Sequence, residues 1–374
     1  MKASVSQIQL AHSLSMVSRA VNPRSTLPVL ANVLVATDEG RLRVSATNLE
    51  LGISSWIGAK IEEDGAITVP ARTFADLINT LPNDTVTLAV NTKTQTLTVR
   101  CGGSVTDIKG IDAQEFPPMP VPDLQDGIEV DAAAFKEMIQ QVAFAASTDE
   151  AHPVLQGVML TVQNGEITLA ATDGYRISVR KAQLASVNSR PVSAIIPARA
   201  LTELARIASD GENVINMAVP PGRGQVLFHM KDAELVSQLI EGNFPDYKVI
   251  IPRSSKTRTI LSTAGFLKAC KQAEIIARES NNVVRLNILA QSEGPGQVEI
   301  TAQSEEVGSG EAKVDATIEG PNLVIAFNVR FLRELLDVVK SPNVVLETNA
   351  NNNPALIKPA GDESFIHVIM PMHL

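Results

Sequence analysis

Apolar positions along this chain recur in two periods that alternate in a fixed order. After Pro70-Ala71-Arg72 they fall at Phe74, Leu77, Ile78 and Leu81. After Pro197-Ala198-Arg199 they fall at Leu201, Leu204, Ala205 and Ala208. After Asn328-Val329-Arg330 they fall at Leu332, Leu335, Leu336 and Val339. Each set follows i, i+3, i+4, i+7, one face of an amphipathic helix. Proline in the first turn of the first two loses no needed hydrogen bond. Three further helices are predicted. One runs from Val5 to Val21 and stops at Asn22-Pro23, because the residue before proline is pushed out of the helical region. The others run from an Asp131 N-cap to Ala146 and from Ala264 to Glu279. Between the helices the pattern has the two-residue alternation of strands. It predicts hairpins at 29–37 with 41–47, at 85–90 with 94–99, and around Asn164-Gly165, with strands at 53–61, 66–69, 105–108, 213–219, 225–230, 283–290 and 297–302.

These elements repeat. The strand-to-turn stretch Ile167-Thr168-Leu169-Ala170-Ala171-Thr172-Asp173-Gly174-Tyr175-Arg176 is echoed by Leu42 to Leu51, 125 residues earlier. It is echoed again by Val298 to Val307, 131 residues later. The helix markers recur in step, so the chain reads as three copies of one domain. The boundaries are placed at 1–120, 121–250 and 251–374. A proline-rich joint, Phe116 to Pro122, closes the first copy, and Phe244-Pro245-Asp246-Tyr247 closes the second. Each copy is predicted to hold two helices and seven or eight strands, an α+β fold of helices packed on antiparallel sheets.

Composition changes this picture little. Aromatics are 3% of the chain, which predicts aliphatic cores. Cys101 and Cys270 stand in different repeats and suggest no disulfide framework, which fits a reducing cytoplasm. No apolar run approaches membrane-spanning length and no signal-peptide pattern opens the chain. The net charge is −9, yet the six helical stretches together are weakly positive. Lys268, Lys271 and Arg278 share a spacing with Arg330, Arg333 and Lys340 that keeps each set on one helix side. Such a surface would meet phosphates without reading bases.

A catalytic centre is not found. Pro221-Gly222-Arg223-Gly224 lacks the lysine and helix of a phosphate loop. The five histidines are scattered without metal-ligand spacing. Asp173 reads as a turn aspartate capping backbone amides rather than as a catalytic partner of Arg176. No cofactor or metal is expected.

Several motifs carry a resemblance to a known family. Arg24-Ser25-Thr26-Leu27-Pro28-Val29-Leu30, Val69-Pro70-Ala71-Arg72, Ala171 to Arg176, Glu241 to Tyr247 and the ending Met370-Pro371-Met372-His373-Leu374 resemble the bacterial sliding clamps, the beta subunits of DNA polymerase III. The resemblance covers the whole chain in order and spacing. It implies a homodimeric ring of six clamp domains, sheets outside and helices inside, around double-stranded DNA. Helices about 10 Å across set side by side agree. Twelve of them enclose a circle of roughly 38 Å, whereas six enclose only ~20 Å.

The resemblance also implies roles for residues. Arg24, Arg72 and Arg199 match DNA-facing positions, and Lys268, Lys271 and Arg330 join them from the charge pattern. Leu155, Thr172, Gly174, Tyr175, Arg176, Ile177, Pro245, Ile250, Val368, Met370, Pro371 and Met372 match a pocket for short peptides of the DNA polymerase III catalytic subunit, the clamp loader and other clamp-binding proteins. Thr106 and Ile108 match one face of the dimer interface, and Ile275 with Ile276 the other. Pro153 and Val154 stand where tyrosines occur in the family. The expected function is a cytoplasmic processivity factor without catalysis of its own. The competing expectations are an enzyme with an unrecognised centre and a repeat scaffold that ignores DNA.

Overall fold

The computed structural model describes residues 1–120, 127–185, 190–208, 213–291 and 294–373. Val121 and Pro122 of the expected joint, and Leu374, lie outside them.

The three repeats have one element order. The first runs β1 (Lys2–Ser6), α1 (Gln7–Val17), β2 (Asn32–Asp38), β3 (Arg41–Thr47), β4 (Leu51–Glu63), β5 (Ala66–Pro70), α2 (Ala71–Thr80), β6 (Thr85–Asn91), β7 (Thr96–Cys101) and β8 (Ser104–Lys109). The second runs β9 (Ile128–Asp131), α3 (Ala132–Val142), β10 (Gly157–Gln163), β11 (Glu166–Thr172), β12 (Arg176–Gln183), β13 (Val192–Pro197), α4 (Ala198–Ile207), β14 (Val214–Ala218), β15 (Gln225–His229) and β16 (Ala233–Gln238). The third runs β17 (Thr257–Ser262), α5 (Thr263–Ala277), β18 (Val283–Leu289), β19 (Gly296–Ser304), β20 (Gly308–Glu319), β21 (Leu323–Asn328), α6 (Val329–Val338), β22 (Asn343–Thr348), β23 (Ala355–Pro359) and β24 (Phe365–Ile369).

Local chemistry explains most of these boundaries. Asn164 and Gly165 both have positive φ, 55° and 76°, the geometry of a tight two-residue hairpin. The Asn328 side chain accepts from the Arg330 amide at 3.0 Å and caps α6. α2 buries Phe74 and Ile78, and α6 buries Leu332, Leu335 and Leu336, as their spacing requires. The first helix differs from expectation. Val5 belongs to strand β1, which pairs with both β4 and β6, and the sheet ladder overrides the helical spacing there. The helix ends at Val17, followed by a 3₁₀ turn over Ser18–Ala20.

The chain forms two compact units, Met1–Ala133 with Glu203–Leu239, and Ala134–Thr202 with Ile240–Leu374. Each holds one 12-stranded sheet. In the first unit β16 pairs antiparallel with β4. In the second unit β12 pairs antiparallel with β24. The middle repeat therefore donates strands to both sheets. The cores are not purely aliphatic. Phe74, Phe135, Phe228, Phe266, Phe327 and Phe365 are fully buried, one, two and three in the successive repeats, so the few aromatics are concentrated at the centres. Cys101 and Cys270 are also buried, and burial pushes the Cys270 thiol far above its ordinary range.

Candidate functional site

The turn from β11 to β12 is built by its own side chains. Thr172 Oγ1 donates to the Arg176 carbonyl at 2.7 Å and accepts from the Gly174 amide at 3.0 Å. Asp173 Oδ1 accepts from the Tyr175 and Arg176 amides at 2.9 and 3.0 Å. Asp173 is thus the turn aspartate that the sequence suggests. Gly174 has φ +90°, where a side chain is disfavoured. Tyr175 is left 67% exposed at the tip.

Arg176 faces the other way and is only 6% exposed. Its Nε donates to Asp173 Oδ2 at 3.0 Å, its Nη1 to Glu334 Oε2 at 2.6 Å, and its Nη2 to the Phe144 carbonyl at 2.9 Å. Its guanidinium also lies over the rings of Phe331 and Phe144, at 4.3 and 5.2 Å. A buried charge needs this degree of pairing. Beneath it His367 is fully buried, its Nδ1 2.5 Å from Ser178 Oγ, and its ring is stacked on Phe144. Burial pushes the imidazole pKa well below its ordinary value, and the nearby Arg176 charge adds to the effect.

Beside the turn lies a cavity of about 150 Å³, lined by Leu155, Thr172, Gly174, Tyr175, Arg176, Ile177, Pro245, Tyr247, Ile250, Val368 and Met370. The structure brings together every residue expected for the peptide pocket except Pro371 and Met372. Met372 instead donates its amide to the Ala326 carbonyl at 2.8 Å, bridging to β21. Tyr247 was not among the expected residues, although it ends the Phe244-Pro245-Asp246-Tyr247 motif. Its phenol pKa is raised by burial and then by the Asp246 carboxylate. Met370 is 38% exposed at the rim.

Comparison with known proteins follows the same three-part division. Residues 1–120 match the DNA polymerase III beta subunit N-terminal domain, 129–246 its central domain and 248–373 its C-terminal domain. The chain belongs to the DNA polymerase III beta subunit family. It is 36% identical to the beta sliding clamp of Synechococcus elongatus over 378 residues, covering 100% of both chains. It is 33% identical to that of Bacillus subtilis, covering 100% of this chain and 99% of the relative. The crystal structure of the Bacillus subtilis sliding clamp matches with a TM-score of 0.93 at 31% identity, covering 100% and 99%. That of the Pseudomonas aeruginosa clamp bound to griselimycin matches with a TM-score of 0.92 at 27% identity, covering 100% of both.

Within this clamp-family chain the basic residues expected at DNA are exposed. Arg72, Arg199 and Arg330 each sit second in their helix, α2, α4 and α6, one per repeat. Arg72 pairs with Asp76 at 3.7 Å and Arg330 with Glu334 at 3.4 Å. Lys271 pairs with Asp337 at 2.9 Å, and Lys268 is exposed on the same helix. Arg24 stands exposed in the turn after α1. Among the described residues no cluster of histidine, cysteine or carboxylate side chains is arranged to hold a metal.

The residues expected at a dimer contact split by strand and helix face. On edge strand β8, Thr106 is half-buried and Ile108 turns into the core, while Val105 is 55% exposed. On α5, Ile275 is 58% exposed, whereas Ile276 packs on the core of its own unit. The two neighbours point different ways because a one-residue step turns a helix by about 100°.

Proposed function

We propose that this chain is a sliding clamp, a non-catalytic processivity factor that encircles duplex DNA as a homodimeric ring. It tethers the DNA polymerase III catalytic subunit, the clamp loader and other proteins bearing a clamp-binding peptide. Three tandem beta-subunit domains filling the chain end to end carry this reading. The repeats are taken as 1–120, 121–250 and 251–374, so two chains supply six. The cytoplasm is its proposed compartment.

The cavity beside the Thr172 turn is the proposed docking pocket, with Pro371 and Met372 extending its rim. Its size suits one or two apolar side chains. Each contributes about 1.5–3 kcal/mol on burial, which suits exchangeable partners. Because Arg176 is already neutralised by Asp173 and Glu334, the anchor selected is apolar. Griselimycin, to which the Pseudomonas aeruginosa clamp is bound in its crystal structure, is proposed as a ligand of this pocket. Arg24, Arg72, Arg199, Lys268, Lys271 and Arg330 are assigned to phosphates. Ring closure is assigned to Thr106, Ile108, Ile275 and Ile276.

The two activities differ in their response to salt. DNA contact should weaken steeply as salt rises, because each neutralised phosphate releases counterions. Peptide affinity should barely change. Once loaded, the protein should persist on circular DNA and slide off linear DNA. Equal residence on both forms would exclude encirclement. A peptide affinity that falls with salt as steeply as DNA binding would exclude the apolar anchor.

A further inference from the structure

The docking turn has a near twin in the first repeat. Thr47 Oγ1 donates to the Leu51 carbonyl at 3.1 Å and accepts from the Leu49 amide at 3.0 Å. Asn48 Oδ1 accepts from the Glu50 and Leu51 amides at 3.0 and 2.7 Å. These are the bonds of Thr172 and Asp173, 125 residues on. Leu49 has φ +76°, matching Gly174. The neighbouring strands keep the register too. Gly52 opposes Val236 as Ile177 opposes Val368. The Gln238 amide donates to Glu50 as the Met370 amide donates to Tyr175, at 2.8 and 2.9 Å.

The backbone is the same and the surface is not. In the second unit Ile177 packs with Val368, and the half-buried Tyr247 packs against them and lines the open cavity. In the first unit the corresponding strand position is Gly52, and Met119 stands where Tyr247 would. A Cβ added at Gly52 would lie 2.4 Å from Met119 Cε and 3.0 Å from its Sδ. Met119 therefore occupies the space of the missing side chain. It is held there by Phe116, which is buried with Leu30 and Leu34 in a cluster that Met119 packs against.

We propose that the first repeat carries a second copy of the docking surface, and that Met119, seated on Gly52, fills it from within the same chain. Each chain then presents one receptive pocket instead of two. An apolar methionine side chain takes the place an apolar anchor of a partner peptide would take. The inference rests on the pocket reading given above, and the test separates the two.

Griselimycin titrated by calorimetry should bind the wild-type protein at one per chain. The graft Glu50→Tyr, Gly52→Ile, Met119→Tyr, Gln238→Met supplies the counterparts of Tyr175, Ile177, Tyr247 and Met370 and should bind two per chain. A control graft with only Glu50→Tyr and Gln238→Met keeps the methionine and should bind one. Two sites in the wild type would overturn the proposal, as would one site in a four-residue graft whose thermal unfolding matches the parent. No binding to the wild type would remove the pocket reading and the proposal with it. Methyl-methionine carbon NMR on the wild type needs no graft. The Met370 methyl should shift with the first equivalent, while the Met119 methyl, assigned with Met119→Leu, should not move at saturation. A Met119 shift that tracks added ligand would overturn the proposal.

Discussion

At the scale of single residues, the turn was legible and the role of its arginine was not. Thr172, Asp173 and Gly174 act through hydrogen bonds to their own backbone, and such local chemistry is written in adjacent letters. Besides the nearby Asp173, Arg176 is satisfied by Glu334, Phe144 and Phe331, which are distant in sequence, so its burial is not marked locally. Arg176→Met leaves Asp173 and Glu334 largely enclosed without that partner. The loss in unfolding free energy should be about 3 kcal/mol, read by urea titration. A variant as stable as the parent would show that these contacts contribute nothing net. His367 gives a pH signature. The unfolded imidazole takes a proton near its ordinary value, and the folded one does so only well below it. Between those values the unfolded chain binds more protons. Stability should therefore be level above about pH 7 and should fall as pH drops below ~6.5, by up to about 1.4 kcal/mol per pH unit. His367→Gln should flatten that part of the curve in thermal melts between about pH 7.5 and 5.5. The same decline in both proteins would assign it to other groups.

At the scale of elements, helices with one strongly apolar face were placed to within a residue or two, because burial and spacing agree. α1 began late since Val5 was claimed by a sheet, a tertiary choice that periodicity does not register. The third repeat also slips. Ser304 Oγ accepts from the Glu306 amide at 3.3 Å, as Thr172 does from Gly174, one residue later than the 131-residue spacing gives. The proposed dimer contact belongs to this scale. Val105 on edge strand β8 and Ile275 on α5 are the apolar side chains that solvent reaches there. An unpaired strand edge invites another chain. Val105→Asp with Ile275→Asp should shift the protein from dimer to monomer in light scattering at micromolar concentration. A parent already monomeric under those conditions would contradict the ring.

At the scale of the molecule, three repeats were legible from spacing, yet the compact units are two. Pairing of β16 with β4, and of β12 with β24, joins segments far apart in sequence, and no local pattern announces it. Residues 129–246 expressed alone would lose both neighbours. The β12 and β16 edges would be exposed, and self-association in size-exclusion chromatography is the expected outcome. A well-behaved monomer would show that those edges need no partner.

The joining of sheets across repeat boundaries bears on how such a chain arose. A gene encoding one repeat would have made a protein with two open strand edges, each satisfied by the opposite edge of another copy. Its product would have been an assembly before any duplication occurred. Joining the repeats in one polypeptide fixes a neighbour relation that separate copies would otherwise have to find, and each repeat holds its place because the next strand is already beside it.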